Sequence, residues 1–203
     1  MARKSTRIQR ADEILDVAIH VIEDKGMDTF HLRDVAKEMR LTENAIRYYF
    51  KSTPDMIQAL AARSDPRFLE ERSEISRDLD THEEKLATLI SLGVPRGSED
   101  TEWRVIWSAV LTAGFQLDKQ QSIQGIFHRQ VDLYKQVLQA GADSGAFKLT
   151  HEAHDIAITL MSLEDNLGYR IVAHDPQIAR SDAIRIMRQY AELATGSTLP
   201  ILD

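Results

Sequence analysis

The stretch from Leu32 to Phe50, with the sequence LRDVAKEMRLTENAIRYYF, restricts most strongly what this chain can fold into. Its apolar residues recur at the spacing of one helix face on either side of a short turn. They are Leu32, Val35, Ala36, Met39, Leu41, Ile46 and Tyr49. A helix-turn-helix needs a small residue where its helices cross and a branched apolar residue in the second helix, and Ala36 and Ile46 meet those needs. The pattern predicts two short helices that share a buried face.

The second of these helices has the chemistry of a DNA-reading element. Thr42 stands where its hydroxyl can cap the free backbone N–H groups of a helix that runs through Asn44, Arg47 and Tyr48. Asparagine can bond adenine and arginine guanine, whereas tyrosine and lysine reach phosphate oxygens. Arg40 occupies the turn position where glycine would accept a positive φ without strain. A helical hairpin with a purely structural purpose is the alternative.

Charge is distributed unevenly along the 203 residues, whose formal net charge is −7. Residues 1–52 contain 10 Lys and Arg against 9 Asp and Glu, a balance of +1, and the remainder contains 15 against 23, a balance of −8. This asymmetry is typical of a separate DNA-binding head. The chain has no cysteine, its basic start lacks the apolar core of a signal peptide, and its longest uncharged run is too short to span a bilayer. We therefore expect a cytoplasmic protein without a membrane segment.

Periodicity predicts an all-α chain in two domains, a three-helix head at 1–52 and a larger helical domain at 53–203. Pro66 threatens to kink the helix predicted at 54–79. Thr150 is the expected N-cap of the helix predicted at 150–173. The tail STLPILD shows no helical pattern and is expected to be loose. Besides the two short helices within 32–50, the predicted helices span 7–25, 54–79, 83–92, 101–117, 121–142, 150–173 and 181–194.

The run KGMDTFHLRDVAKEMRLTENAIRYYFKSTPDM resembles the N-terminal DNA-binding domain of TetR-family transcriptional regulators. The later segments RVIW, QAGADSGAF and LMSLEDNLGYRIV look like the ligand-binding part of the BetI-like or AcrR-like branch of that family. The resemblance implies an all-α fold and a homodimer that binds a pseudo-palindromic operator. It also implies release of the DNA when a small molecule enters the C-terminal domain.

Carried onto this chain, the resemblance yields a set of DNA-contacting residues. The predicted set is His31, Thr42, Glu43, Asn44, Arg47, Tyr48, Tyr49 and Lys51, with Arg3, Lys4 and Arg7 in an N-terminal arm that is either bound to the DNA backbone or merely solvated. Four positions depart from the family pattern. Arg40 replaces the turn glycine, Arg47 stands where tyrosine is usual, Thr53 replaces a phosphate-binding lysine, and His31 replaces a threonine cap. These departures mean that the operator sequence does not transfer from the family.

The larger domain contains candidates for a ligand pocket and a dimer interface. Aromatic side chains with a few polar neighbours are typical of ligand pockets, and equally of plain core. The predicted lining is Trp103, Trp107, Phe115, Gln116, Tyr134 and Tyr169. Helices 121–142 and 150–173 carry enough apolar surface for a dimer interface, or for burial in one monomer. Glu164, Asp165 and Asn166 interrupt the second of them and face either the pocket or the dimer seam.

No catalytic motif is present, and the pair His151 and His154 falls short of a metal-binding spacing. We therefore predict no enzyme activity, cofactor or metal. The predicted function is a repressor that binds operator DNA as a homodimer and responds to a small-molecule effector. The alternatives are a DNA-binding protein without a ligand, and a ligand-sequestering protein whose head has lost DNA affinity.

Overall fold

The computed structural model describes residues 2–113 and 121–202, and within these ranges it contains nine α-helices, one short 3-10 helix and no strand. The predicted all-α class is confirmed. The α-helices are α1 (Ala2–Lys25), α2 (Leu32–Glu38), α3 (Glu43–Arg47), α4 (Thr53–Arg77), α5 (His82–Gly93), α6 (Thr101–Ala113), α7 (Gln121–Asp143), α8 (Ala153–Val172) and α9 (Arg180–Thr195), and the 3-10 helix spans Met27–Thr29. Their contacts form two compact units. The first unit contains the chain up to Ser64 together with α6, and the second contains residues 65–100 and the chain from α7 onward.

The first unit is built on the shared apolar face that the sequence predicts. Ile14, Ala18 and Ile22 of α1 are buried against the helix-turn-helix pair. From the pair itself, Leu32, Val35, Ala36 and Ile46 are buried, whereas Met39, Leu41 and Tyr49 are only half-buried. Phe50 completes this core with Met56, Ile57 and Leu60 of α4. α6 packs against α1 and the 3-10 helix within the same unit.

The turn between α2 and α3 adopts the conformation that the sequence makes costly. Arg40 has a φ of 55°, in the left-handed region. The N–H of Leu41 donates to the carbonyl of Ala36 at 2.8 Å, which closes the end of α2. A non-glycine residue in this conformation costs about 1 kcal/mol. The buried contacts of Val35, Ala36 and Ile46 outweigh this strain, because each removes apolar surface from water.

α4 continues through Pro66 as one helix, as predicted for residues 54–79, and the break that Pro66 threatened does not occur. Proline removes one N–H from the helix ladder and leaves the carbonyl four residues earlier without its usual partner. That residue is Ala62, and both Ala62 and Pro66 are exposed, so water can satisfy the carbonyl. The helix begins as expected, with Ser52 Oγ accepting from the N–H of Asp55 at 3.2 Å.

The second unit buries its apolar residues among α5, α7, α8 and α9. Leu86, Leu138 and Leu160 are fully inaccessible in this core. The outer face of α7 carries polar side chains, with Asp132, Lys135, Gln136 and Gln139 exposed. In α7, therefore, the apolar side faces this core, as the monomer-burial alternative anticipated.

Most predicted helix boundaries lie within two residues of the observed ones, and three of the differences bear on predicted roles. α1 begins at Ala2, which makes the basic arm the first turns of a helix. α3 ends at Arg47, so Tyr48 is its C-cap. α8 begins at Ala153 with Glu152 at its N-cap position, so the predicted cap Thr150 is wrong, and the N–H of Thr150 donates to the carbonyl of Ala194 at 2.9 Å. The predicted end of α6 at residue 117 lies outside the described residues, and the domain boundary at residue 52 stays a prediction. No described helix is long and apolar enough to cross a membrane.

The expectation of a loose tail is wrong. Gly196 ends α9 at a φ of 68°, as predicted, and the chain then folds back onto the second unit. Leu199 is only 2% exposed, and its N–H donates to Glu192 Oε1 at 3.0 Å. Ser197 Oγ donates to the carbonyl of Ala146 at 2.7 Å. A short non-periodic segment can thus be ordered by one buried side chain and its backbone hydrogen bonds.

Leu199→Ala tests the docking of the tail. It removes buried methyl groups and leaves a cavity, so we expect the free energy of unfolding to fall by about 2 kcal/mol or more in urea titrations. Ile201→Ala is the matched control, because Ile201 is 77% exposed and should change stability by less than about 0.5 kcal/mol. Equal effects of the two substitutions would contradict the packed tail.

Candidate nucleic-acid interface and buried polar cluster

α3 presents most of its predicted DNA-contacting side chains to solvent. Thr42 accepts from the N–H of Ala45 at 3.3 Å and so performs the predicted cap. Asn44 and Arg47 are exposed, and Tyr48 is 65% exposed. Of the remaining predicted residues, His31 and Lys51 are exposed, whereas Glu43 and Tyr49 are half-buried. A large aromatic side chain at this exposure is free to pack on a partner surface.

The N-terminal arm and α3 meet in the structure. The guanidinium of Arg7 lies 5.2 Å from the centre of the Tyr48 ring, a cation–π distance. Tyr48 in turn contacts Tyr49 edge-to-face, with ring centres 5.1 Å apart. Arg7 therefore brings a positive charge beside the residues predicted to contact DNA. The side chains of Arg3 and Lys4 lie outside the described part of the structure.

Arg47 is engaged with its own helix. Its Nε donates to Glu43 Oε1 at 2.9 Å, and its Nη1 donates to the carbonyl of Lys51 at 2.8 Å. Both side chains remain substantially exposed, so this ion pair is worth only about 0.2–1 kcal/mol. A base or phosphate can therefore compete with Glu43 for Arg47 at little cost.

A shallow depression of about 220 Å³ lies beside these residues. Its walls are His31, Leu32, Arg33, Glu43, Arg47 and Thr53. Arg33 is exposed and was not among the predicted DNA contacts, although its place in the first turn of α2 could have suggested it. Next to the depression, the hydrogen bond from Lys25 holds the pKa of Asp34 below its ordinary value. Asp34 also accepts from the N–H of His31 at 3.0 Å, which fixes the start of α2.

The predicted ligand-lining residues divide between the two units. Trp103 is buried and Trp107 half-buried in the first unit, whereas Tyr134 is fully buried and Tyr169 half-buried in the second. Phe115 and Gln116 lie outside the described residues. The pocket that would unite these side chains stays a prediction.

The second unit instead contains a buried polar cluster, made of Arg72, Gln130, Tyr134 and Glu164, that sequence reasoning found only in part. Arg72 and Glu164 are each 1% exposed, with Arg72 Nη2 and Glu164 Oε2 2.9 Å apart. Tyr134 donates to the same Oε2 at 2.5 Å, and Arg72 Nη1 donates to Gln130 Oε1 at 2.6 Å. Glu164 thus faces the interior of its own unit.

Burial and close contacts shift the pKa values of the ionisable groups in and beside this cluster. Burial opposes the charge of Arg72, but Glu164 and Tyr134 together outweigh burial and raise the pKa of Arg72. Burial, followed by the negative charge of Glu164, raises the pKa of Tyr134 well above its ordinary value, so Tyr134 keeps its proton and donates it. At the next position after Glu164, burial and then the charge of Glu164 raise the pKa of Asp165 to about 7. Asn166 is exposed on the same helix.

No group of three potential metal ligands occurs within residues 2–113 and 121–202. His151 and His154 are both exposed.

Comparison with known proteins places the helix-turn-helix in a known family. Residues 14–60, which contain the whole helix-turn-helix, match the family model of the bacterial regulatory proteins of the tetR family. This segment belongs to the TetR family. Over 136 residues the chain is also 26% identical to a fatty acid metabolism regulator protein of Bacillus subtilis, covering 67% of this chain and 70% of that protein. The chain is therefore a DNA-binding transcriptional regulator.

Solved structures share the fold of this chain. A protein from Saccharomonospora viridis in complex with choline has a TM-score of 0.77 and 20% identity, covering 91% of this chain and 96% of that one. The regulator FadR from Bacillus subtilis in complex with stearoyl-CoA has a TM-score of 0.60 and 20% identity, covering 90% and 96%. The assignment to the BetI-like branch stays a prediction.

Substitutions at Arg47 and Glu43 separate base reading from phosphate contact. With DNA selected from a random pool, we expect Arg47→Ala to cost about 1–3 kcal/mol of binding and to relax preference at one base pair. Glu43→Gln should tighten binding about two- to fivefold, because it releases Arg47 and removes a charge that repels phosphate. Fluorescence anisotropy measures both changes.

Lys148→Ala in the exposed connection between α7 and α8 is the control and should leave DNA affinity unchanged. If Arg47→Ala weakens every sequence alike and lowers the salt dependence of binding, Arg47 contacts phosphate and reads no base.

Proposed function

We propose that the chain is a ligand-responsive repressor that binds a pseudo-palindromic operator as a homodimer. The exposed face of α3, with Asn44 and Arg47 beside the Arg7–Tyr48 contact, is the observation that supports DNA binding most directly. The proposed place of action is the cytoplasm, where DNA is accessible. DNA selected from random sequences with the purified protein should contain an inverted repeat whose half-sites lie one helical turn, or a multiple of it, apart. Selected DNA without an inverted repeat would contradict the proposal.

The proposed dimer uses the C-terminal helices α7 and α8, with α8 as the main contributor. Ile158 on α8 is 36% exposed in the monomer, whereas the outer residues of α7 are polar. A symmetric contact places the same residue of each copy near the two-fold axis, where one exposed apolar side chain is buried twice. The polar residues of α7 suit the solvated rim of such an interface.

Ile158→Arg tests this seam. We expect the wild-type chain to scatter light as a particle of twice 23.1 kDa at micromolar concentration, and Ile158→Arg to shift the equilibrium toward the monomer because it places a charge in the contact. Leu111→Arg in the first unit is the control, since Leu111 is 62% exposed and lies on α6. A wild-type monomer throughout this range would exclude both the dimer and the palindrome.

α4 is one continuous helix that contributes residues to both units, and the proposed response to a ligand passes through it. Its first half contributes Met56 and Leu60 to the first unit, and its second half contributes Arg72 to the buried polar cluster of the second unit. A ligand that prefers one position of Arg72 therefore biases a helix that also carries part of the DNA-binding core. Only a difference in affinity between two states can shift their populations. A 100-fold difference corresponds to a coupling free energy of about 2.7 kcal/mol per site.

The coupling must be reciprocal, and this generates a prediction for any compound that releases the DNA. Its affinity should be lower in the presence of saturating operator than in its absence, by the same factor by which it weakens DNA binding. Titration calorimetry with and without operator measures the factor.

A variant with a more flexible α4 tests whether this helix couples ligand binding to DNA binding. Ala62→Gly combined with Pro66→Gly replaces two exposed residues of α4 and loosens the helix at little direct cost to either core. We expect it to reduce the coupling while ligand affinity without DNA stays unchanged. Equal ligand affinities with and without operator in the wild type would show that the ligand site is not a switch.

A further inference from the structure

The buried polar cluster contains two N–H donors that no described residue satisfies. Arg72 Nε and Gln130 Nε2 are both inaccessible and lack a hydrogen-bond acceptor within the described ranges. The amide of Gln130 is oriented, because its Oε1 accepts from Arg72 Nη1 at 2.6 Å, so the remaining atom is the donor. Buried donors without acceptors are rare in folded proteins and costly to keep. The cluster is therefore short of oxygen acceptors.

The other donors of the cluster are already paired. Arg72 Nη2 donates to the carbonyl of Leu89 at 2.7 Å and to Glu164 Oε2 at 2.9 Å. Arg72 Nη1 also reaches Glu164 Oε1 at 3.1 Å. A Cβ on Gly93 would lie 2.0 Å from Glu164 Oε2, so only glycine leaves room for this arrangement at the end of α5. These contacts fix the position of both unpaired donors.

The same geometry excludes a cationic partner. Aromatic faces and carboxylates are the groups that attract an organic cation, and in this cluster Arg72 already occupies them. Its guanidinium carbon lies 5.1 Å from the ring centre of Phe68 and 5.3 Å from that of Tyr134, and Glu164 neutralises its charge. An added cation would meet Arg72 at close range and would find no free carboxylate in the cluster.

An anionic partner is disfavoured as well. Because Arg72 and Glu164 form a neutral pair, a second carboxylate would be a buried charge without a counter-charge and would lie near Glu164. An uncharged oxygen acceptor satisfies the two donors without this cost. The surrounding core is apolar, since Tyr134 packs in one cluster with Leu86, Leu89 and Leu160.

We propose that the effector has an apolar body and an uncharged oxygen acceptor, such as an amide, ester or ketone carbonyl, and that this group accepts hydrogen bonds from Arg72 Nε and Gln130 Nε2. The two unpaired donors belong to neighbouring side chains, because Arg72 Nη1 donates to Gln130 Oε1 at 2.6 Å. The assignment rests on the proposed function, since it names the class of ligand that the second unit recognises.

Three probes with the same ten-carbon chain test this assignment on the full chain. They are decanamide as the uncharged acceptor, decanoate as the anion and decyltrimethylammonium as the cation, each titrated by calorimetry at pH 7 below the concentration at which it forms micelles. We expect decanamide to bind at least tenfold more tightly than the two charged probes. Tighter binding of either charged probe, or binding by none of the three, would overturn the assignment.

Gln130→Met tests the donor directly, because it keeps an unbranched side chain and removes the amide N–H groups. We expect decanamide to bind about tenfold more weakly to this variant. Gln177→Met in the exposed connection between α8 and α9 is the matched control and should bind as the wild type does. Thermal unfolding verifies that both variants fold. Unchanged decanamide affinity in a folded Gln130→Met variant would show that the amide does not contact the ligand.

These experiments distinguish a failure of the ligand assignment from a failure of the repressor proposal. DNA binding is measured separately, with the selected operator and without any probe. If the chain binds an inverted repeat and a compound without an oxygen acceptor releases it, the ligand assignment fails and the repressor proposal stands. If decanamide binding depends on Gln130 but no specific DNA is bound, the ligand assignment stands and the repressor proposal fails.

Discussion

The second unit depends on the buried ion pair between Arg72 and Glu164. The pair joins α4 to α8, and through the carbonyl of Leu89 and the side chain of Gln130 it also holds α5 and α7. A buried charge is tolerated only with a close counter-charge and a filled set of hydrogen bonds, so removing either partner leaves the other desolvated and unpaired. The position of four helices is thus tied to one guanidinium and one carboxylate. Any group that changes the hydrogen bonds of Arg72 acts on α4 first.

The DNA-binding unit is stabilised in a different way from the second unit. Its core is built mainly between consecutive helices of the chain, and most of its predicted DNA-contacting residues are exposed on the side of α3 opposite Ile46. Arg40 adopts a strained φ of 55° between the two helices, which the neighbouring buried residues enforce. The interaction of Arg47 with Glu43 is weak because water screens it. This unit therefore keeps its scaffold rigid while its charged side chains remain available to a partner.

Sequence reasoning was most accurate where one local signal decides the structure. Helix periodicity, the cap at Thr42 and the stops at Gly26 and Gly196 each depend on residues within a few positions of one another. It was wrong where a distant partner decides. Thr150 has the chemistry of a cap, but its N–H bonds Ala194, and the tail looked loose because Leu199 is ordered by a core formed from other helices.

The sequence by itself determined the all-α class, the helix-turn-helix and the exposed chemistry of α3, because amphipathic spacing and capping are encoded locally. It also marked Glu164 as unusual in an apolar helix. The sequence alone did not identify Arg72 as a buried residue. Arg72 is one of many charged residues in α4, and no local feature separates it from Arg77. Only the tertiary structure brought Arg72 within 2.9 Å of Glu164, 92 positions away in the chain, and left two N–H donors of this cluster without a partner among the described residues. Long-range pairing of buried polar groups is decided by the packing of whole helices, and the spacing of residues along one helix does not contain it.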